Sequence, residues 1–188
     1  MSQVNPVLNE ISAKALGCAA SCGDSVIISI DGPAGSGKTT LASDLANKFP
    51  DVQIIHMDDL YLGWQNTLTN SLTENLVGIV AEIASQGRVT YKKFNWLTNS
   101  TGEVVQYQAP RFLILEGVGS GQAALRSAIA MSIWIEVPID VGLARVIERD
   151  GENVRDHMQA FLLEQERHFK KEETQMHAEY RLSGLGIV

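Results

Sequence analysis

Ser29-Ile30-Asp31-Gly32-Pro33-Ala34-Gly35-Ser36-Gly37-Lys38-Thr39-Thr40 decides the fold of this chain. Leading into it, Val26-Ile27-Ile28-Ser29-Ile30 is a short β-branched apolar run, which predicts a buried strand. Beyond it, Leu41, Ala42, Leu45 and Ala46 recur at helical spacing, and Pro50-Asp51 ends the helix after about Lys48. Between strand and helix, Gly32 to Thr39 fit the Gly-x-x-x-x-Gly-Lys-Thr phosphate-loop pattern in full. Glycine lets the backbone turn tightly, so that main-chain N–H groups from Ala34 to Thr39 converge on phosphate oxygens. The helix that follows adds the positive end of its dipole. The predicted cradle takes in Gly32, Ala34, Gly35, Ser36, Gly37, Lys38, Thr39 and Thr40. Lys38 is expected to reach the β- and γ-phosphates, and the Thr39 hydroxyl to sit on Mg²⁺.

Reading towards the C-terminus, Val52 to Met57 predicts a second strand, which runs into Asp58-Asp59-Leu60-Tyr61. Ligands of open α/β sheets lie beyond the carboxyl ends of the strands, so these carboxylates are placed for chemistry. Aspartate is also common in caps and solvated loops, the competing reading. Phe112-Leu113-Ile114-Leu115-Glu116 is apolar up to its last residue and predicts a central parallel strand. An acidic residue at that tip, in a chain with a phosphate loop, points to a Mg²⁺ ligand acting through water. Met131 to Val137 predicts a further strand stopped by Pro138. Asp140 is expected to cap the next helix, which carries Arg145 and Arg149 on one face, and Arg155 follows in a polar turn. Arg145, Arg149 and Arg155 could clamp phosphates, or pair with Glu148, Asp150 and Glu152 beside them.

The flanking segments complete the alternation. Pro6 to Ala20 predicts a helix with an apolar stripe of Val7, Leu8, Ile11, Ala15 and Leu16, and Ser71 to Ser85 predicts another. Val89 to Trp96 and Glu103 to Tyr107 read as a hairpin about the turn-rich segment 98–102. Its Tyr91, Phe94, Trp96 and Tyr107 make either a satellite core or the wall of a pocket for a flat ring. Gln122 to Ser127 predicts a short helix, and about Val154 to Tyr180 a long one whose Lys170-Lys171-Glu172-Glu173 run is a solvated face. The tail from Arg181 to Val188 is expected to supply a short last strand, and His157, His168 and His177 have no metal spacing. The pattern predicts an α/β fold: a P-loop NTPase-type three-layer sandwich with a mainly parallel sheet, a small hairpin insertion and a helical lid. It is read as one domain over 1–188, with an N-terminal helical segment at 1–23, the hairpin at 88–107 and the lid at 145–157.

A chain of 188 residues, 45% hydrophobic and 20% charged, is long enough for one domain with a proper core. A formal net charge of −7 argues against a nucleic-acid partner, but not against a nucleotide site that works through local dipoles, one lysine and a metal ion. Cys18 and Cys22 are no disulfide framework and read as small semi-buried residues, which suits a reducing cytoplasm. No secretory signal and no membrane span is legible in the sequence. The oligomeric state is not legible either.

With these residues in hand, the chain resembles the uridine kinase-like branch of the P-loop nucleoside and nucleotide kinases, from Val26 to about Tyr180. It is also similar to small actinobacterial uridine kinase-like ATP-binding proteins. In uridine kinases an Asp-x-aromatic-Tyr follows the second strand, and its Asp acts as base towards the sugar hydroxyl. Asp58 and Tyr61 match its Asp and Tyr. The family's Phe-Glu-Gly-Ile is matched by Leu115-Glu116-Gly117-Val118, which implies Mg²⁺ organised by Glu116. Arg149-Asp150 matches the start of the family lid and Arg155 a further lid arginine. The family's Asn-Phe-Asp-His-Pro segment has no counterpart here, its Tyr-Asp-Phe stands as Phe94-Asn95-Trp96, and the lid is shortened. The donor half of the family pattern is kept and the acceptor half is altered.

The resemblance implies phosphoryl transfer from ATP–Mg²⁺ to a hydroxyl of a nucleoside or similar small metabolite. Lys38, Asp58 and Arg149 would be catalytic, Arg145 and Arg155 would hold the nucleotide, and Asp58, Tyr61, Phe94 and Trp96 the acceptor. The competing function is a nucleotide-dependent ATPase or switch without a small acceptor. A guanine-specific switch would want Asn-Lys-x-Asp late in the chain, whereas Asn47-Lys48 is followed by Phe49-Pro50.

Overall fold

The structure, a computed structural model, describes residues 4–186. Residues 1–3 of the N-terminal segment and 187–188 of the tail lie outside the described residues. Five strands, β1 (Val26–Asp31), β2 (Val52–His56), β5 (Phe112–Glu116), β6 (Ile129–Glu136) and β7 (Tyr180–Ser183), form one sheet in the order β2-β5-β1-β6-β7. Every neighbouring pair in it is parallel. All residues of β1 and β5 are buried, as central strands covered on both faces must be, and this is why both are mostly apolar, with Ser29, Asp31 and Glu116 as their buried polar exceptions.

The two faces carry separate cores. On one, Ile28 and Ile30 of β1 pack with Leu8 and Ile11 of α1 (Val4–Leu16) and Leu41 and Leu45 of α2 (Lys38–Ala46). On the other, Ile27, Ile55 and Leu115 pack with Leu76 and Ile83 of α3 (Asn70–Gln86), Val146 of α4 (Ile139–Asp150) and Phe161 of α5 (Arg155–Glu172). This is the expected three-layer α/β sandwich. The remaining strands, β3 (Arg88–Asn95) and β4 (Ser100–Gln108), form an antiparallel hairpin outside the main sheet.

Three local expectations are corrected. The stretch predicted as one helix from Val154 to Tyr180 breaks at Glu173, whose φ of 52° is left-handed and whose N–H closes α5 on Phe169 O. A short α6 (Thr174–His177) then turns the chain into β7. Asp140 makes no capping bond, since α4 starts one residue earlier, after Pro138. Gln122 to Ser127 forms only a 3-10 turn, Ala123–Leu125.

Register sets the chemistry. His56, the last residue of β2, and Ile30 of β1 both lie opposite Glu116, the last residue of β5. The carboxyl ends of the central strands therefore end level with one another, beside the loop from β1 to α2.

Candidate active site

Above these strand ends opens a cleft of about 840 Å³. The phosphate loop contributes Ala34, Gly35, Gly37, Lys38, Thr39 and Thr40 to its wall. Asp58, Tyr61 and Glu116 come from the sheet edge, Trp96 from the hairpin, and Arg145 and Arg149 from α4. Gly35 and Gly37 hold positive φ of 73° and 95°, backbone that favours glycine. A Cβ on Gly35 would lie 2.2 Å from Gly142 O, and one on Gly142 would lie 2.4 Å from Ala34 O. At Gly35 and Gly142 the loop and α4 thus meet main chain to main chain.

Lys38 is buried, and its Nζ donates to Pro33 O at 2.7 Å, closing over its own loop. Burial pushes its pKa down, against the opposing pull of Glu116, Asp31 and Asp58. Thr39 Oγ1 donates to Glu116 Oε1 at 3.2 Å. The other oxygen of Glu116 lies 2.6 Å from His56 Nδ1, and that contact raises the histidine's pKa. Asp58 is open to solvent at the cleft but crowded by protein elsewhere. Burial, and then the Glu116 charge, hold its carboxyl above the usual range.

Beneath the loop, Asp31 is 1% exposed and accepts N–H bonds from Gly32 (2.7 Å), Gly119 (3.2 Å) and Gly121 (2.9 Å). It ties the first glycine of the phosphate loop to the turn after β5. Burial raises its pKa to about 6 in spite of these donors.

The acceptor side of the cleft is aromatic. Trp64 stacks on His157 with ring centres 5.0 Å apart and planes 6° apart. It meets Trp96 edge-on at 5.3 Å, and Trp96 in turn rests on Phe94 at 5.1 Å. The Trp96 indole donates to Asp58 O at 2.9 Å, which binds the hairpin to the end of β2. Tyr61 is buried and donates its hydroxyl to Val118 O at 2.7 Å. Val89, Tyr91 and Tyr107 instead pack on the core, so the hairpin is satellite core at its base and cleft wall at its tip.

Four predicted residues lie elsewhere. Gly32 is buried, and a Cβ there would come 2.2 Å from Ile135 O. Ser36 is fully buried under the loop. Phe94 stands behind Trp96, outside the cleft wall. Arg155 faces solvent in a two-bond pair with Glu152 at 2.7 and 2.8 Å, so the near-sequence carboxylate takes it. Two more differ in detail. Arg145 Nη1 donates to Gly35 O (3.1 Å) and Gly184 O (3.0 Å), bracing the loop against the C-terminal turn. The Ala34 N–H, expected on phosphate, donates to Gln165 Oε1 at 2.9 Å. Arg149 lines the cleft while paired to Asp150 at 2.7 and 2.6 Å.

Sequence reasoning missed His56, Asp31, Trp64 and Gln165. An imidazole at the end of a strand, two residues before Asp58, was the available signal for the first. Trp64, three residues beyond Tyr61, was the signal for the third.

Among the described residues no group of three or more His, Cys, Asp or Glu side chains is arranged to hold a metal. Mg²⁺ keeps several waters and binds through one or two protein oxygens plus phosphates. Thr39 and Glu116 offer such oxygens, and both line the cleft.

A parallel sheet, a glycine-rich loop before a helix and level acidic strand ends define a P-loop nucleotide-binding fold. No family model matches the chain. It is 31% identical over 135 residues to the cytidylate kinase of Methanococcoides burtonii, covering 71% of this chain and 69% of that one. It is 27% identical over 141 residues to the uridine kinase of Clostridium novyi, covering 66% and 68%. A solved structure described as a possible uridine kinase from Bacillus stearothermophilus superposes over 96% of this chain and 99% of that one, with a TM-score of 0.68 at 16% identity. The chain belongs to the uridine kinase-like branch of the P-loop nucleoside and nucleotide kinases. It is a nucleotide-using phosphotransferase, and the switch or ATPase reading is not favoured. Among the described residues no helix is long and apolar enough to cross a membrane.

Proposed function

We propose that the protein transfers the γ-phosphate of ATP–Mg²⁺ to a hydroxyl of a nucleoside or similar small metabolite. The observation that carries this is the single cleft in which Lys38, the Thr39–Glu116 pair and Asp58 face an aromatic wall. The uridine kinase relative supports a nucleoside hydroxyl as acceptor, and the cytidylate kinase relative supports nucleotide chemistry in the same cleft.

Main-chain N–H groups from Gly35 to Thr39 hold the phosphates. Lys38 swings from Pro33 O onto the β/γ oxygens, where its charge offsets the charge that develops on transfer. Mg²⁺ would be held by Thr39 and Glu116, and it would supply neutralisation between the β- and γ-phosphates. His56 fixes Glu116 Oε2 and leaves Oε1 directed at Thr39. Asp58 accepts the proton of the attacking hydroxyl, a task that its raised pKa favours. Arg149 closes on the transferred group from the segment 145–157, which acts as the lid. Trp64 and Trp96 stack against the ring of the acceptor. The chain acts as one domain, and the free thiols Cys18 and Cys22 suit a cytoplasmic setting.

The test is a panel of nucleosides and nucleoside monophosphates incubated with γ-labelled ATP and Mg²⁺. A labelled phosphorylated product from one member of the panel supports the reading. Label released only as inorganic phosphate with every member contradicts it.

A further inference from the structure

One helix reaches both halves of the cleft. On α5, His157, Phe161 and Gln165 recur at i, i+4 spacing and so share a face. His157 stacks on Trp64, while Phe161 meets the Trp64 ring edge-on at 6.5 Å and tilts against Tyr61 at 6.2 Å. Beside them, Glu164 Oε2 accepts the Thr67 hydroxyl at 2.5 Å. The helix is thus fastened along the segment 61–67, which carries part of the aromatic wall. About two turns beyond His157, Gln165 is 3% exposed, and its Oε1 accepts the N–H of Ala34 in the phosphate loop at 2.9 Å.

Ala34 stands where the loop leaves Pro33 for the glycines, and its N–H is committed to Gln165 rather than to phosphate. The loop has other supports for its shape, since Arg145 holds Gly35 O and Gly142 packs against Ala34 O. The bond from Gln165 does something these do not: it ties the place of the loop to the helix that backs the wall. We propose that Gln165 is a positioning residue, which through α5 fixes the separation between the phosphates on the loop and the acceptor on the wall. The acceptor side of this inference rests on the proposed function. Transfer requires the attacking oxygen close to the phosphorus and in line with it, and a misplacement of about 1 Å can cost about 10²-fold in rate.

The experiment compares wild type with Gln165→Met, which keeps the length of the side chain and removes the accepting oxygen. With the acceptor found in the panel, Gln165→Met should lower kcat about 10²-fold and leave the KM for ATP and for the acceptor within about threefold, because each half still binds its own ligand. Gln165→Glu, whose carboxylate accepts the same N–H, should bring kcat back to within about fivefold of wild type. Hydrogen exchange of the Ala34 amide, followed in the nucleotide-free protein, should be slow in wild type and about tenfold faster in Gln165→Met. If Gln165→Met does not fold, Gln165→Ala is read by the same criteria. Unchanged kcat in the folded variant would overturn the proposal, and so would both KM values rising in step with the loss of kcat, the mark of general loosening. An Ala34 amide that exchanges freely in wild type, or at the same rate in the variant, would overturn it as well. If wild type phosphorylates no acceptor, the proposed function fails and the acceptor side of the inference falls with it, whereas the amide exchange still decides whether Gln165 holds the loop.

Discussion

In the proposed mechanism Asp58 is the residue on which the chemistry turns. It reaches the cleft from the end of β2, and Trp96 fixes its main chain rather than its carboxylate. The carboxylate stays available to a hydroxyl. Asp58→Asn keeps the shape and removes the base, so kcat should fall about 10² to 10⁴-fold. The dissociation constant for nucleotide should stay within a factor of about three. Steady-state kinetics with direct nucleotide titration separates the two, and an undiminished kcat would rule out the assigned role. Asp31 is the second acid worth measuring. Its folded pKa of about 6 exceeds the ordinary aspartate value of 3.8, so the folded state holds its proton more tightly than the unfolded state. The resulting stabilisation is full below about pH 3.8 and lost as pH rises through about 6, a contribution of roughly 3 kcal/mol at 1.36 kcal/mol per unit. Carbon NMR of the Asp31 carboxyl should show a midpoint near pH 6. A midpoint at or below 4 would contradict the burial argument.

At the scale of elements, the phosphate loop owes its shape to α4 as much as to its own glycines. Gly35 and Gly142 meet main chain to main chain. In Gly142→Ala, the gain of about 1 kcal/mol in helix propensity opposes an overpacking cost of about 1–3 kcal/mol. Net stability should therefore change little, while the added methyl displaces Ala34 and the loop. Nucleotide affinity should drop tenfold or more with a melting temperature within a few degrees of wild type. Unchanged affinity would show that the contact does not shape the loop. The aromatic wall joins three elements, because Trp64 precedes α3, Trp96 follows β3 and His157 lies on α5. Trp64→Ala should raise the KM for the acceptor about tenfold and leave the KM for ATP within twofold. An equal change in both would argue for general loosening.

Legibility also divides at this scale. The strand, loop and helix from Val26 to Ala46 are encoded by adjacent residues, and so they read directly from the sequence. Local signals also found Asp58 and Glu116, because strand ends announce themselves. The Trp64–His157 stack joins residues far apart in the chain, and no periodicity records such a pairing. Gln165 bonding Ala34 and Arg145 bracing Gly35 were hidden for the same reason. The helix break at Glu173 escaped because a non-glycine residue takes the left-handed conformation there, where burial of Thr174 directs the turn.

For the whole molecule, the parallel sheet brings one donor half and one acceptor half to a common edge. The donor half follows the family pattern closely. The proposed acceptor half carries Phe94 and Asn95 where the family pattern has tyrosine and aspartate, and Trp64 meets Trp96 in its wall. Under the proposed function, ATP is turned over slowly until the acceptor fills the cleft, because the wall and the proposed lid would complete the site only around it.

ATP turnover with and without the acceptor found in the panel tests that most directly. The account predicts slow hydrolysis alone, a rise of a hundredfold or more with the acceptor, and loss of both in folded Lys38→Ala. Turnover that is the same with and without every acceptor, or that survives Lys38→Ala, would contradict it.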